Sequence, residues 1–158
     1  HFPGLGLALA NTDLSVDTID APAAGLAPGL VPYRVAIADG IPMVMLANAT
    51  YTALDPNAAA GWSPAISVTL LRHELGFTGV TMTDSLDGTA QARGVAPSGL
   101  AIAAAQAGTD LILTTGSEAS TQGVYAALLR QAEAGQIGQA TLEASYRRIL
   151  ALKQASLP

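Results

Sequence analysis

Three short apolar runs punctuate the chain: "IPMVMLANA" from residue 41, "TGVTMTDS" from 78 and "GTDLILTT" from 108. Each is strand-length and lacks the spaced polar face of an amphipathic helix. The segments between them carry apolar residues at helical spacing instead. Strands recurring every 30 or more residues with helices between them predict βαβ units and a buried parallel sheet, whose strands are apolar on both faces.

The helices declare themselves at their ends. In "WSPAISVTLLRHELG" Ser63 suits a cap and Pro64 a first turn, Ile66, Leu70, Leu71 and Leu75 recur at helical spacing, and Gly76 terminates. Ser98 opens "SGLAIAAAQAG" and Gly108 closes it. Val124, Leu128, Leu129 and Ala132 form one stripe over 120–135, and Thr141 suits the cap of a last helix carrying Leu142, Tyr146, Ile149 and Leu150. An earlier helix is expected over 29–38, its start limited by Pro32. Residues 7–28, rich in Ala, Gly, Pro and Asp, read as loop.

The chain opens abruptly with "HFPGLG", so His1 is expected to end a strand that begins upstream. Counting that element, four strand-then-helix units follow one another. Two α/β architectures fit. One is a (β/α)8 TIM-barrel type, which takes about 250 residues, with this chain supplying the last four units as a half barrel. The other is a complete small doubly wound sheet. In either case residues 1–158 form a single domain.

Composition narrows the partners. Half of the residues are apolar and only 12% are charged, against about 25% in ordinary soluble domains. Some of the surface is therefore expected to be covered, by a missing half of the barrel or by self-association through open sheet edges. A net charge of −5 without a basic stripe excludes a nucleic-acid footprint. No apolar stretch reaches the roughly 18 residues of a membrane span. With no cysteine, disulfides and thiolate metal sites are excluded, and the compartment stays open between cell envelope, exterior and cytoplasm.

Function in parallel α/β folds collects at the carboxyl ends of strands, where this chain places Asn48, Asp84, Thr114 and Thr115, with His1 at the end of the opening element. Asp84 supports two readings, a helix cap favoured by the positive end of the dipole or a catalytic carboxylate. Asp87 reads as a turn or first-turn residue and His73 as part of a solvated helix face. Tyr51 and Trp62 either border a sugar site or seal the core. "GLG" at 4–6 lacks the third glycine of a dinucleotide motif, Leu9 standing in its place. Nothing follows the ligand spacing of calcium or zinc sites, so neither metal nor cofactor is expected.

Taken together, "HFPG" at 1–4, "VMLANATY" at 44–51, "LLRHELGFTGVTMTDSL" at 70–86 and "AGTDLIL" at 107–113 resemble glycoside hydrolase family 3, and most of all its bacterial β-N-acetylhexosaminidases. The resemblance runs through "RRILALK" near the end of the chain, which is similar to the family's closing barrel helix. It implies a barrel, a carbohydrate substrate and a retaining mechanism in which Asp84 is the nucleophile that forms a glycosyl-enzyme intermediate. His1 matches a substrate-contacting residue of the family, and Asn48 stands where a histidine usually ends its strand, still able to donate to a sugar hydroxyl.

The acid/base partner departs from the pattern. The hexosaminidases carry an Asp-x-His pair on the loop after His-Phe-Pro-Gly; here Asn11 occupies the Asp place, Asp13 the His place, and Leu5 a position often held by His. Two consequences compete. Asp13 itself serves as general acid, burial beneath a bound sugar favouring its protonated form. Alternatively, turnover is lost and the fold binds glycans or acts as a scaffold. A nucleotide-binding doubly wound domain is a third expectation, and it predicts cofactor retention on purification.

Overall fold

The computed structural model describes residues 1–156, and its frame is the parallel pairing of two short strands, β2 (Met43–Leu46) and β5 (Val80–Thr83). Their register runs from Met43↔Val80 to Leu46↔Thr83. Parallel bridges extend the pair on both sides, Phe2 to Leu46 and Leu111 to Met82. Four chain segments thus lie side by side in sequence order, with no switch point between them. The runs from 41 and 78 are strands as expected, but "GTDLILTT" contributes a single bridge residue. The reason is local: the Leu113 amide donates to the Thr83 hydroxyl at 3.0 Å instead of to a backbone carbonyl, so a side chain interrupts the ladder.

Only one face of the pair is fully covered. Val44 and Leu46 are buried with Ile66, Leu70, Leu71 and Phe77, whereas Met43, Met45 and Met82 on the opposite face are half-buried. The intervening helix, Ala65–Glu74, winds as a π-helix rather than the expected α-helix. Ser63 caps it nonetheless, its hydroxyl accepting from the Ile66 amide at 3.3 Å, and Gly76 ends it at φ 74°. The remaining helices are α1 (Ala23–Ala38), α2 (Leu86–Arg93), α3 (Pro97–Gln106), α4 (Glu118–Glu133) and α5 (Gln139–Ser156). Ser117 caps α4 by accepting from the Ser120 amide. Pro97 rather than Ser98 begins α3, and Thr141 lies inside α5 instead of capping it.

Residues 7–28 hold more structure than a loop. α1 starts at Ala23, with Pro28 and Pro32 inside it. Each proline removes one helical N–H, at a cost of about 3 kcal/mol relative to alanine. The carbonyls left without a partner belong to Ala24 and Pro28, both exposed, so water can take them. Burial of Leu26 and Leu30 against the core outweighs the local preference. Upstream, β1 (Thr18–Ile19) pairs parallel with β3 (Thr50–Tyr51), which pairs antiparallel with β4 (Asp55–Ala59). Tyr51 is fully buried and donates to the Gly4 carbonyl at 2.9 Å. It seals the core, as one of its two readings held. Trp62 packs against a second cluster around Leu86, Ala101 and Val124, beneath the Arg93 guanidinium.

A buried ion cluster fastens α5. No side chain of that helix is buried, yet Ser145 and Arg148 both donate to Asp110, at 2.6 Å from the Ser145 hydroxyl and 2.6 Å from Arg148 Nη2. Arg72 from the π-helix reaches the same carboxylate at 2.7 Å, and the Thr81 amide of β5 at 2.9 Å. Desolvation alone would raise this carboxyl, but the hydrogen bonds from Arg148, Ser145 and Thr81 and the Arg148 charge outweigh it and hold it below the usual carboxylate range. Among the described residues no helix is long and apolar enough to cross a membrane.

Because Asp110 has no exposed side-chain surface, its loss leaves two guanidinium groups without their counter-ion. Asp110→Asn is expected to lower the unfolding free energy by about 3–5 kcal/mol in a urea titration. A folded-state pKa below the unfolded one gives stability that is present above the unfolded value of about 3.9 and lost as pH falls through the folded one. The parent should therefore lose stability below about pH 4, and the Asn form should lack that part of the acid decline.

Candidate active site

The register of β2 and β5 carries their next residues to one rim. Asp84 directly follows β5, and its amide donates to the Leu46 carbonyl at 3.1 Å. The residue is 8% exposed. One oxygen, Oδ1, accepts from the Ser85 amide at 2.7 Å, so the cap-like reading is partly realised. The other, Oδ2, lies 3.3 Å from His1 Nε2. Burial pushes the carboxyl above its ordinary value, and the Ser85 amide works against that rise by stabilising the anion. A desolvated carboxylate with one oxygen fixed and the other facing a half-exposed imidazole can attack an electrophilic carbon or exchange a proton.

His1 is therefore brought to Asp84. Its ring is 42% exposed and its carbonyl accepts from the Tyr33 hydroxyl at 2.7 Å, which anchors the residue against α1. Asn48 is placed differently from the expected sugar contact. It is 1% exposed, and both of its amide hydrogens are used inside the protein, donated to the Ser85 carbonyl and the Thr89 hydroxyl at 2.8 Å each. The amide thus holds the peptide after Asp84 rather than facing solvent. Its Oδ1 is buried without a hydrogen-bond partner.

Asp13 lies on a tight turn, exposed, with its own amide donating to Asn11 Oδ1 at 2.9 Å. Its main chain packs against Gly88, where a β-carbon would collide with the Asp13 carbonyl oxygen. The turn therefore sits over the first turns of α2, the helix that starts two residues after Asp84. Asn11, in the place of the family's aspartate, is occupied in shaping this turn.

Several residues matter here that the sequence reading passed over or read narrowly. Asp87, expected only as a first-turn acid, accepts from the Thr115 amide at 2.6 Å and from the Ser120 hydroxyl at 3.4 Å. Gly116 allows that approach, since a β-carbon there would collide with Asp87 Oδ1. Ser85 and Thr115 share a hydroxyl–hydroxyl bond of 2.7 Å. Thr89 is fully buried at the centre of the rim. A glycine in the middle of a short helix, Gly88, was the one signal of close backbone approach available beforehand. His73 lies on an exposed helix face. Among the described residues no three His, Asp or Glu side chains gather as a metal site.

Residues 1–152 match the glycosyl hydrolase family 3 N-terminal domain. An uncharacterised secreted glycosyl hydrolase of Arthroderma benhamiae is 34% identical over 97% of this chain and 44% of its own length. The β-hexosaminidase of Stenotrophomonas maltophilia is 42% identical over 54% of the chain and 26% of its own. Among solved structures, a family 3 β-N-acetylglucosaminidase from a Paenibacillus species aligns with a TM-score of 0.90 at 35% identity, over 98% of this chain and 30% of that one. A β-N-acetylhexosaminidase from Beutenbergia cavernae aligns with a TM-score of 0.89 at 35% identity, over 98% and 46% respectively. The chain spans less than half the length of each of these relatives. Its match to the family's defining domain, together with these relatives, shows that the chain belongs to glycoside hydrolase family 3.

Proposed function

We propose that the protein hydrolyses β-linked N-acetylhexosamine or a related β-glycoside with retention of configuration. The observation that carries this reading is Asp84, desolvated at a strand tip, with Oδ1 pinned by the Ser85 amide and Oδ2 directed toward His1. In the first step Oδ2 attacks the anomeric carbon as the bond to the leaving oxygen breaks, and Asp13 delivers a proton to that oxygen. In the second step Asp13 takes a proton from water, whose oxygen displaces Asp84 from the sugar. His1 contacts substrate hydroxyls beside the nucleophile. Asn48 holds Ser85 and Thr89 rather than the sugar. None of these steps needs a cofactor or a metal.

Residues 1–158 are, in this reading, one C-terminal part of a (β/α)8 barrel domain, completed by an N-terminal half or by self-association. The strictly sequential order of Phe2, β2, β5 and Leu111 supports it. So does the half-buried apolar face of Met43, Met45 and Met82, which a closed ring would enclose.

A second reading is favoured by one observation: Asn11 and Asp13 replace the family's Asp-x-His pair, and Asn11 is spent on its own turn. On that reading the protein binds glycans without turnover. Aryl β-N-acetylhexosaminides and aryl β-glucosides, offered to the protein in its full natural length, separate the two. The enzymatic reading expects cleavage with retained anomeric configuration by NMR, a loss of at least about 1,000-fold in kcat for Asp84→Asn, and about 100-fold or more for Asp13→Asn. Sugar binding with no cleavage across the panel would establish the noncatalytic reading instead.

Asp84→Asn carries a separate expectation for stability. The folded-state carboxyl binds its proton more tightly than the unfolded one, so folding bears a cost once pH rises through the folded-state pKa. The amide removes that cost and keeps an acceptor for the Ser85 N–H, while the half-exposed His1 pair contributes little. Thermal unfolding at pH 7 should show the Asn form more stable by on the order of 1 kcal/mol, with the gap closing below about pH 4.

A further inference from the structure

A buried chain of hydrogen bonds joins the strand end at Asn48 to the turn that carries Asp13. Asn48 Nδ2 donates to the Thr89 hydroxyl at 2.8 Å, and that hydroxyl donates onward to the Thr12 carbonyl at 3.0 Å. All three residues are buried, at 1%, 0% and 5% exposure. The Thr89 hydroxyl has one hydrogen and it is committed to Thr12, so the direction of the relay is fixed. The other amide hydrogen of Asn48 goes to the carbonyl of Ser85, next to Asp84. A single side chain therefore ties the peptide behind the nucleophile and, through Thr89, the peptide before Asp13.

The turn has little freedom of its own. The amides of Leu14 and Ser15 and the Ser15 hydroxyl all donate to the Asn11 carbonyl, at 3.0, 3.1 and 3.1 Å. Asp17 closes its base by accepting from the Leu9 amide at 3.1 Å. Gly88 lets the Asp13 backbone approach α2 more closely than any β-carbon would permit. What sets the position of this rigid turn relative to Asp84 is thus its two contacts with α2, the Thr89 hydroxyl and the bare face of Gly88.

We propose that Thr89 is a positioning residue, which with Gly88 clamps the Asp13 turn against the helix after Asp84 and so holds the proton donor in place before substrate arrives. The proposal rests on the reading of Asp13 as general acid. Its logic is geometric: proton transfer requires hydrogen-bond reach, and a displacement of about 1 Å costs on the order of 100-fold in rate. Valine at 89 keeps the shape and removes the hydroxyl, so Thr12 loses its donor while the packing persists.

Two measurements test it in the full natural protein. Amide hydrogen exchange over residues 11–15 is expected to quicken at least about 10-fold in Thr89→Val and in Gly88→Ala, and to stay near the parent rate in Thr89→Ser. Kinetics then separate proton delivery from general damage. For alkyl glycosides, whose alkoxide leaving group needs a proton, kcat/KM should fall about 100-fold in Thr89→Val. For dinitrophenyl glycosides, whose leaving group departs as an anion, it should stay within a few-fold, and Thr89→Ser should restore the first value. Equal losses for both substrate kinds, unchanged exchange at 11–15, or faster exchange with unaltered kinetics would each overturn the positioning role. Should Thr89→Val fail to fold, Gly88→Ala makes the same two predictions from the steric side. A parent that cleaves no glycoside defeats the functional reading and the positioning role with it, and this result is distinguishable because exchange still reports the clamp.

Discussion

The register of one parallel strand pair governs everything at the rim. Met43 opposite Val80 through Leu46 opposite Thr83 puts Asn48 and Asp84 on the same side of the molecule, and the bond from the Asp84 amide to the Leu46 carbonyl continues the ladder to Asp84 itself. A slip of one residue would reverse every side chain on the moved strand. Thr81 and Thr83 would leave the helix-covered side for the half-open face, and Asp84 would turn toward the helices. The apolar cluster that forbids this slip, Val44, Leu46, Ile66, Leu71 and Phe77, lies away from the rim and yet fixes it.

Two aspartates in this sparsely charged chain show how environment divides one residue type into two roles. Asp110 has no exposed side-chain surface, and two arginines, two hydroxyls and an amide surround it, so its anion is favoured despite burial. Asp84 is buried almost as deeply and receives one backbone amide and a neutral-capable imidazole, so burial prevails. The first carboxylate has no lone pair left for anything but structure. The second keeps one oxygen, Oδ2, with only the half-exposed His1 imidazole beside it, which is the condition for reactivity.

The sequence was most legible where physics is local. The runs from 41 and 78 became strands, Ser63 capped as read, and Gly76, Gly108 and Gly135 all adopt positive φ at helix ends. Tertiary effects account for the departures. Leu26 and Leu30 draw a proline-containing segment into α1, and the Thr83 hydroxyl breaks the strand expected at 108–115. Asp84 was visible because a carboxylate ends an apolar run. The inward turn of Asn48 was not, since it depends on Ser85 and Thr89, about forty positions away in the chain. The role of Asp87 depends in the same way on Thr115 and on the missing side chain of Gly116.

The half-open strand face has a chemical consequence. The chain's three methionines, Met43, Met45 and Met82, all lie on it, and Met45 and Met82 are paired across the ladder. Thioethers suit such a surface because they adapt to whatever packs upon them. They are also the side chains that peroxide converts to sulfoxides. Oxidation would put polar, branched groups on a strand face that is otherwise apolar and half-buried.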